Sequence, residues 1–246
     1  MVEFAPVTAV VIDDASGVWH ADSYYLSLEE EQRVWHCPAR NQPPYCCMVY
    51  RRHPGNVMTC YYVQGQEHQI VYTKNLLELL GLEWFLLQQG GLMLHASLVS
   101  WEGRGILFCA PSGTGKSTQA KLWEQHLGSQ TLNGDRAAIR CEQGVWSAWG
   151  LPYAGTSGIY RNQSVPVSAL VLLRQGTQNR ISEVSPLVAF KGLLPECNAR
   201  RWDGNSMERL MGILFQLVDD IPCYLLECRP DREAVELLRD VIVKEE

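Results

Sequence analysis

The segment at residues 110–117, Ala-Pro-Ser-Gly-Thr-Gly-Lys-Ser, most constrains what this chain can fold into. It matches the pattern G-x-x-x-x-G-K-[ST] at every fixed position except the first, where Ala110 replaces glycine. An apolar run at residues 105–109 precedes the segment, and a helix-compatible run at 119–127 follows it and ends at Gly128. This order predicts a strand, a glycine-rich loop and a helix, which is the setting that the pattern requires.

Such a loop suits a polyphosphate, because densely anionic phosphates need many backbone N–H donors at close range and bulky side chains would block that approach. Gly113 and Gly115 permit a tight, partly left-handed backbone, and the positive end of the following helix faces the phosphates. We expect Lys116 to neutralise the β and γ phosphates and the Ser117 hydroxyl to coordinate Mg²⁺. The predicted nucleotide-binding residues are Ser112, Gly113, Thr114, Gly115, Lys116, Ser117 and Thr118. The alternative is an ordinary glycine-rich turn.

Asp135 follows a short predicted strand near residues 131–132. A carboxylate there can hold Mg²⁺ or accept the proton of an attacking hydroxyl; the alternative is a turn aspartate after Asn-Gly. Arg161 ends a glycine-rich segment at 149–162, which can close over a substrate and bring the arginine to a transferred phosphoryl group, or be an ordinary surface loop. The basic pair Arg200-Arg201 is interpreted as solvated charge at a helix end rather than as an anion site.

The alternation of elements predicts an α/β fold. Residues 1–75 contain short strand-like runs at 7–12, 48–51, 58–63 and 69–72, with a turn signal at 53–56, and form a β-rich region. A helix at 75–89, apolar on nearly all sides, is expected to be buried. Residues 76–246 then interleave strands with helices near 116–126, 187–194, 206–218 and 231–243, with Asp231 as a helix cap.

Composition excludes several classes. The net charge of −6 gives no general attraction to nucleic acid or anionic lipid. The 9 cysteines include no Cys-x-x-Cys pair and lie in apolar stretches, which argues against a zinc ribbon and favours free thiols in a reducing compartment; adjacent Cys46 and Cys47 are interpreted as part of a plain strand. No signal-like start or run of about 18 apolar residues occurs. We expect a cytoplasmic protein without nucleic-acid or membrane partners.

With His95 in Leu-His-Ala-Ser, ahead of the loop, residues 94–140 resemble the HPr kinase/phosphorylase family and its relatives related to ATP-dependent phosphoenolpyruvate carboxykinase. The resemblance implies a P-loop nucleotide-binding core of that type, which binds ATP and Mg²⁺ and transfers phosphate to a serine hydroxyl. It carries Lys116 and Ser117 over as phosphate and magnesium contacts, Asp135 as the acidic residue, and His95 as a residue near the phosphates. Without it, His95 is a buried core histidine.

One departure from that family concerns Gly134, which stands where the bifunctional enzymes have a second aspartate before the position of Asp135. The resemblance therefore does not imply the reverse (phosphorylase) reaction or the full metal arrangement of those enzymes. Their C-terminal signature is not evident in this sequence either. This points to a divergent relative, for which the protein HPr itself is a poor substrate.

The sequence thus predicts an ATP- and Mg²⁺-dependent kinase that phosphorylates a serine-like hydroxyl on a peptide, a protein or a small metabolite. The alternative is an ATP-binding switch or sensor with little turnover, in which ATP orders residues 155–158 for a partner. A nucleotide-hydrolysing motor is disfavoured, because neither an ABC signature nor an extended strand ending in a Walker-B acid is present. The acceptor's identity and the oligomeric state, homo-oligomer included, stay open.

Overall fold

The computed structural model of the chain describes residues 2–12, 18–20, 23–27, 31–39, 42–51, 57–70, 80–152 and 155–244. The chain divides into two compact units, Met1–Leu82 and Glu83–Glu246. The turn predicted at residues 53–56 and the first part of the helix predicted at 75–89 lie outside the described residues.

The Met1–Leu82 unit is built on a 6-stranded sheet in the order β1-β6-β5-β4-β3-β2. Its strands are β1 (Val2–Val7), β2 (Val18–His20), β3 (Ser23–Ser27), β4 (Glu31–His36), β5 (Cys46–Arg51) and β6 (Val57–Val63). Neighbouring strands are antiparallel except for the parallel pair of β1 and β6. The strand predicted at residues 7–12 is misplaced, because β1 ends where that prediction begins.

A short helix, α1 (Glu67–Ile70), includes residues 69 and 70 of the strand predicted at 69–72, so the prediction is wrong for these two residues. Residues 71 and 72 lie outside the described part of the chain. The Gly65 N–H donates to Glu67 Oε1 at 3.0 Å, and an acidic side chain in the first turn favours a helix start. Cys46 and Cys47 both lie buried in β5, which confirms their interpretation as part of a plain strand. The 9 cysteines, all within the described residues, form no disulfide, and most of them are buried.

The Glu83–Glu246 unit alternates helices with strands, which confirms the predicted α/β class. The elements are α2 (Leu82–Gln88), β7 (Gly91–Trp101), β8 (Arg104–Cys109), α3 (Lys116–Leu127), β9 (Gln130–Asn133), β10 (Arg136–Glu142), β11 (Val145–Gly150), β12 (Ser164–Gln175), β13 (Arg180–Glu183), α4 (Pro186–Leu193), β14 (Cys197–Asn198), α5 (Gly204–Asp220), β15 (Cys223–Cys228) and α6 (Arg232–Lys244). The 9-stranded sheet runs β11-β10-β7-β8-β12-β15-β13, and β9 and β14 also pair with β7. The strands β8, β12 and β15 are mutually parallel.

Helices cover both faces of the parallel strands, which explains why those strands read as continuous apolar runs. In β8, Ile106 and Phe108 face one core cluster, whereas Leu107 and Cys109 face the other. The first cluster includes Trp123 of α3 with Val235 and Leu238 of α6. The second includes Leu193 of α4 with Leu210, Leu214 and Leu217 of α5.

The C-terminal helices follow their predicted positions. Asp231 Oδ1 accepts the Ala234 N–H at 3.2 Å, which confirms the predicted cap of α6. In α2, by contrast, only Trp84 and Leu87 are buried, so the prediction of burial on all sides is wrong for the described part of that helix. None of the helices in the described part of the chain is long and apolar enough to cross a membrane.

Candidate functional site

The glycine-rich loop connects β8 to α3, so the predicted strand–loop–helix order is confirmed. Gly113 and Gly115 have φ angles of 82° and 121°, in the region that favours glycine. No heavy atom lies within 4 Å of the position that a Cβ would take at either residue, so backbone conformation rather than packing requires glycine there. The Thr114 N–H donates to the Pro111 carbonyl at 3.3 Å and closes the turn.

The loop ends at the uncapped start of α3. Gly115 is the N-cap and supplies no side-chain hydrogen bond to the helix. The first N–H groups of a helix have no acceptor within the helix, and they favour an anion together with the helix dipole. The Ser117 hydroxyl belongs to this first turn. The geometry therefore offers a cradle of donors for a phosphate group.

Lys116 lies inside this cradle and is only 7% exposed. Its Nζ donates to the Ala110 carbonyl at 2.7 Å and to the Pro111 carbonyl at 3.4 Å. Burial lowers the pKa of the Lys116 ammonium group, and the charges of Glu196 and Asp135 act in the opposite direction. The lysine is thus electrostatically coupled to two carboxylates that lie far from it in the sequence.

These carboxylates flank His95, at the point where β7 changes its pairing partners. His95 is the last residue of β7 that pairs with β10, opposite Arg136. The next residue, Ala96, pairs with Cys109 at the end of β8, from which the loop departs. On the edge of β7 opposite β10, Leu94 pairs with Cys197 of β14. Three neighbouring strands therefore begin or end beside His95, and the residues just outside them converge on its ring.

Asp135, just before β10, and Glu196, just before β14, both reach this ring. His95 Nδ1 donates to Glu196 Oε2 at 2.8 Å, because an ionised carboxylate can only accept. His95 Nε2 lies 3.5 Å from Asp135 Oδ1, and Asp135 Oδ2 lies 3.4 Å from Arg136 Nε. The two ring nitrogens of His95 therefore face two carboxylates, Glu196 at Nδ1 and Asp135 at Nε2. The arrangement is a Glu–His–Asp chain beside the lysine of the loop.

The turn that carries Asp135 is held by buried hydrogen bonds. Asn133 Oδ1 accepts the N–H groups of both Asp135 and Arg136 at 2.8 Å, and Asn133 Nδ2 donates to the Leu151 carbonyl at 2.6 Å. Ser97 Oγ donates to the Gly134 carbonyl at 3.1 Å. The position of Asp135 is therefore fixed from both sides of its turn.

Residues 155–157 form a 3-10 turn that rests on this site. A Cβ at Gly155 would lie 2.7 Å from Asp135 Cβ, and one at Gly134 would lie 2.6 Å from Ser157 Cβ. The close approach of this turn explains why Gly134 cannot be the second aspartate of the HPr kinase pattern. Two residues of the predicted loop, at 153–154, lie outside the described part of the chain.

Arg161, by contrast, lies beside β9. Its Nε donates to the Thr131 carbonyl at 3.2 Å and its N–H to the Leu132 carbonyl at 2.8 Å. The structure thus brings Lys116, His95 and Asp135 together. The hydrogen bonds of Arg161 are made to β9 instead.

The interpretation of Arg200 as solvated charge is wrong. Its side chain is only 4% exposed, because it stacks 5.7 Å above the Trp84 ring and its Nε donates to Glu83 at 3.3 Å. Arg201, its neighbour, is exposed and donates to the Pro195 carbonyl at 3.2 Å.

Glu196 is the site residue that the sequence did not indicate. It ends a short 3-10 turn, Leu194–Glu196, and no local pattern separates it from other surface acids. Only the pairing of Cys197 with Leu94 brings it to His95. Pairing of a two-residue strand leaves no periodic signal in a sequence.

The described residues contain no group of three or more His, Cys, Asp or Glu side chains arranged to hold a metal ion. Mg²⁺ is usually bound by one or two protein oxygens together with substrate phosphates. The Ser117 hydroxyl and the Asp135 carboxylate are the oxygen ligands that this site offers.

Comparison with known proteins gives one family. A family model described as "SynChlorMet cassette protein ScmC" matches residues 64–232. No curated protein gives a significant match. Among solved structures, the Hpr(Ser) kinase/phosphatase from Coxiella burnetii matches with 13% identity and a TM-score of 0.36, over 62% of this chain and 92% of that one.

Proposed function

The chain belongs to the SynChlorMet cassette protein ScmC family, and from the geometry around Lys116 and Asp135 we propose that it is an ATP- and Mg²⁺-dependent kinase. The phosphate acceptor is a serine-like hydroxyl on a peptide, a protein or a small metabolite. The observation that carries this proposal is the Glu196–His95–Asp135 chain beside the lysine of a phosphate-type loop.

The loop residues from Ser112 to Thr118 hold the triphosphate through their backbone N–H groups, and Lys116 Nζ exchanges its carbonyl partners for the β and γ phosphate oxygens. Ser117 and Asp135 would hold Mg²⁺ together with the phosphates. The ion supplies charge neutralisation at the phosphates when it is bound. Both protein ligands are hard oxygen donors, as this ion requires.

Asp135 takes the proton of the acceptor hydroxyl. The hydroxyl oxygen forms a bond to the γ phosphorus while the bond from that phosphorus to the β,γ-bridging oxygen breaks, and ADP leaves with the electron pair. His95 lies 3.5 Å from the Asp135 carboxylate and orients it, and Glu196 holds the other side of the ring at Nδ1. Arg161 Nε is engaged with the Thr131 carbonyl, so the proposal gives this residue no step in the transfer.

A second candidate function is an ATP-responsive switch. The turn at Gly155–Ser157 rests directly on Asp135 and Gly134, so a ligand that moves Asp135 also moves this turn. In that case nucleotide binding would change the surface formed by the turn without phosphoryl transfer.

Transfer and binding assays on Asp135→Asn decide between these functions. The protein is incubated with γ-labelled ATP and cell extract fractionated by size, so that protein and small-molecule acceptors are told apart. For a kinase, we expect transfer to fall by roughly 10²- to 10⁴-fold while the variant still binds ATP. Asp219→Asn, on the exposed surface of α5, is the matched control.

Full transfer by Asp135→Asn would contradict the assigned base. Tight ATP binding without transfer, in both the wild-type protein and the variant, would favour the switch. If ATP does not bind to the wild-type protein, both functions are excluded.

A further inference from the structure

A cavity of about 350 Å³ adjoins the phosphate loop on the side away from His95, between the carboxyl ends of β12 and β15. The lining residues that matter below are Gly113, Thr118, Gln119, Arg174, Cys228 and Arg229. A volume of this size is at the lower end of the range for small-molecule sites.

The topology explains why the cavity lies there. The strands β8, β12 and β15 are parallel, so their carboxyl ends meet at one edge of the sheet, where ligands of open α/β sheets bind. The loop after β8 supplies the phosphate-type cradle, and the ends of the other two strands supply the cavity. Because Gly113 and Thr118 belong to both, a ligand held by the loop continues directly into this space.

Two arginines, Arg174 and Arg229, line the cavity. Arg174 Nη1 lies 3.8 Å from Glu227, and Arg229 Nε lies 2.9 Å from Asp231, so each guanidinium group has an acidic neighbour. A guanidinium plane stacks on aromatic rings, including nucleobases, whereas a lysine ammonium does not. The walls therefore suit a flat heteroaromatic group.

Gln119 adds an unused hydrogen-bond acceptor. The residue is 3% exposed, its Nε2 donates to Cys228 Sγ at 3.1 Å, and its Oε1 has no hydrogen-bond partner. A buried polar atom without a partner is costly and calls for an explanation. A ligand with a donor group supplies one, and the 6-amino group of adenine is such a donor.

We propose that this cavity is the nucleobase subsite, in which the adenine ring of ATP lies between Arg174 and Arg229 with its 6-amino group directed to Gln119. This rests on the proposed function, because the triphosphate held by the loop is what leads the base into the cavity. The subsite makes the chain selective for adenine nucleotides and assigns residues beyond the loop to their recognition.

The test compares the affinities of Mg·ATP and of inorganic triphosphate with Mg²⁺ by calorimetry. In wild type we expect ATP to bind at least about tenfold more tightly, since stacking adds to the phosphate contacts. The double variant Arg174→Lys/Arg229→Lys keeps both positive charges and loses the planar groups, so it should weaken ATP binding about tenfold and leave triphosphate binding unchanged. Arg239→Lys, on the surface of α6, is the matched control.

The variant Gln119→Leu separately tests the hydrogen-bond acceptor that Gln119 Oε1 provides. Wild type should prefer ATP to GTP, whose ring carries a carbonyl oxygen at the same position, and the variant should lose most of this preference. Thermal unfolding checks that each variant is folded. A wild-type preference for GTP, or an unchanged preference in folded Gln119→Leu, overturns the assignment of Gln119 to adenine.

The outcomes separate this inference from the function on which it rests. Absence of triphosphate binding to wild type removes the proposed function. Triphosphate binding that depends on Lys116, with ATP bound no more tightly, removes only the nucleobase subsite. A rise in the KM of the phosphate acceptor in the double lysine variant, with the KM for ATP unchanged, would assign the cavity to the acceptor and overturn the proposal.

Discussion

The phosphate-type loop and the Glu196–His95–Asp135 cluster lie side by side and are built in opposite ways. The loop is local: Lys116 reaches back to the carbonyls of Ala110 and Pro111 within the same short segment. The cluster is assembled from distant segments, and its shortest contact joins residues 101 positions apart. If the proposed function is correct, nucleotide binding depends on a backbone conformation, whereas the transfer step depends on the register of β7 with its neighbours. Mutations should then separate the two.

The largest effect is expected for Lys116→Ala. Loss of a charge-assisted contact to two phosphates should weaken Mg·ATP binding about 100-fold or more, and transfer should be lost with it. Calorimetric titration measures this. Lys121→Ala, on the exposed side of the same helix, should bind ATP as wild type does. Equal affinities for the two variants would remove the loop from nucleotide binding.

Gly155→Ala should damage the cluster and spare the loop. The added methyl would overlap Asp135 Cβ, so transfer should fall about 30-fold while ATP affinity stays within about threefold. Gly158→Ala is a matched control, because it also has a positive φ, of 68°, and no heavy atom lies near its Cβ position. Equal transfer rates in the two variants would show that the turn does not position Asp135.

Glu196→Gln should have a smaller effect. The amide oxygen can still accept from His95 Nδ1, but the substitution removes a negative charge beside the histidine ring. We expect transfer to fall about tenfold with ATP affinity nearly unchanged. Glu208→Gln, on the exposed face of α5, controls for the charge change. A loss of ATP binding without a change in kcat would place Glu196 in the loop's function instead.

Arg161→Ala should have the smallest effect, less than about threefold on transfer, because its guanidinium is engaged with the Thr131 carbonyl beside β9. A loss of about 10³-fold, the size seen for arginines that stabilise phosphoryl-transfer charge, would instead show that Arg161 moves into the site during the reaction. Single-turnover measurement of transfer distinguishes these outcomes.

The contrast between the local loop and the cluster of distant residues also explains which features the sequence could predict. The loop and the α/β alternation follow from local spacing and from apolar runs, and both are visible in one chain. Asp135 was indicated because it follows the next short strand after the helix of the loop. Glu196 was not, because a two-residue strand that pairs across the sheet leaves no pattern around it.

The error at Arg200 also originates in long-range contacts, whereas another error is local. Arg200 looked like a solvated charge, and the Trp84 ring and Glu83 that bury it lie more than 100 residues earlier. The strand predicted at residues 69–72 failed at residues 69 and 70 for a local reason, since the Glu67 carboxylate starts a helix there. Burial of the arginine can be known only once strands and helices are packed.

The change of partners along β7 has a consequence for how such a protein can vary. Because backbone pairing to one strand positions His95, Asp135 and Glu196, the connections between these segments are free to lengthen or shorten without altering the distances between the three side chains. An insertion within Gly91–Trp101 itself would shift every neighbour by one residue and turn the histidine to the opposite face. Natural variation in length should therefore accumulate in the loops and be rare in this single strand.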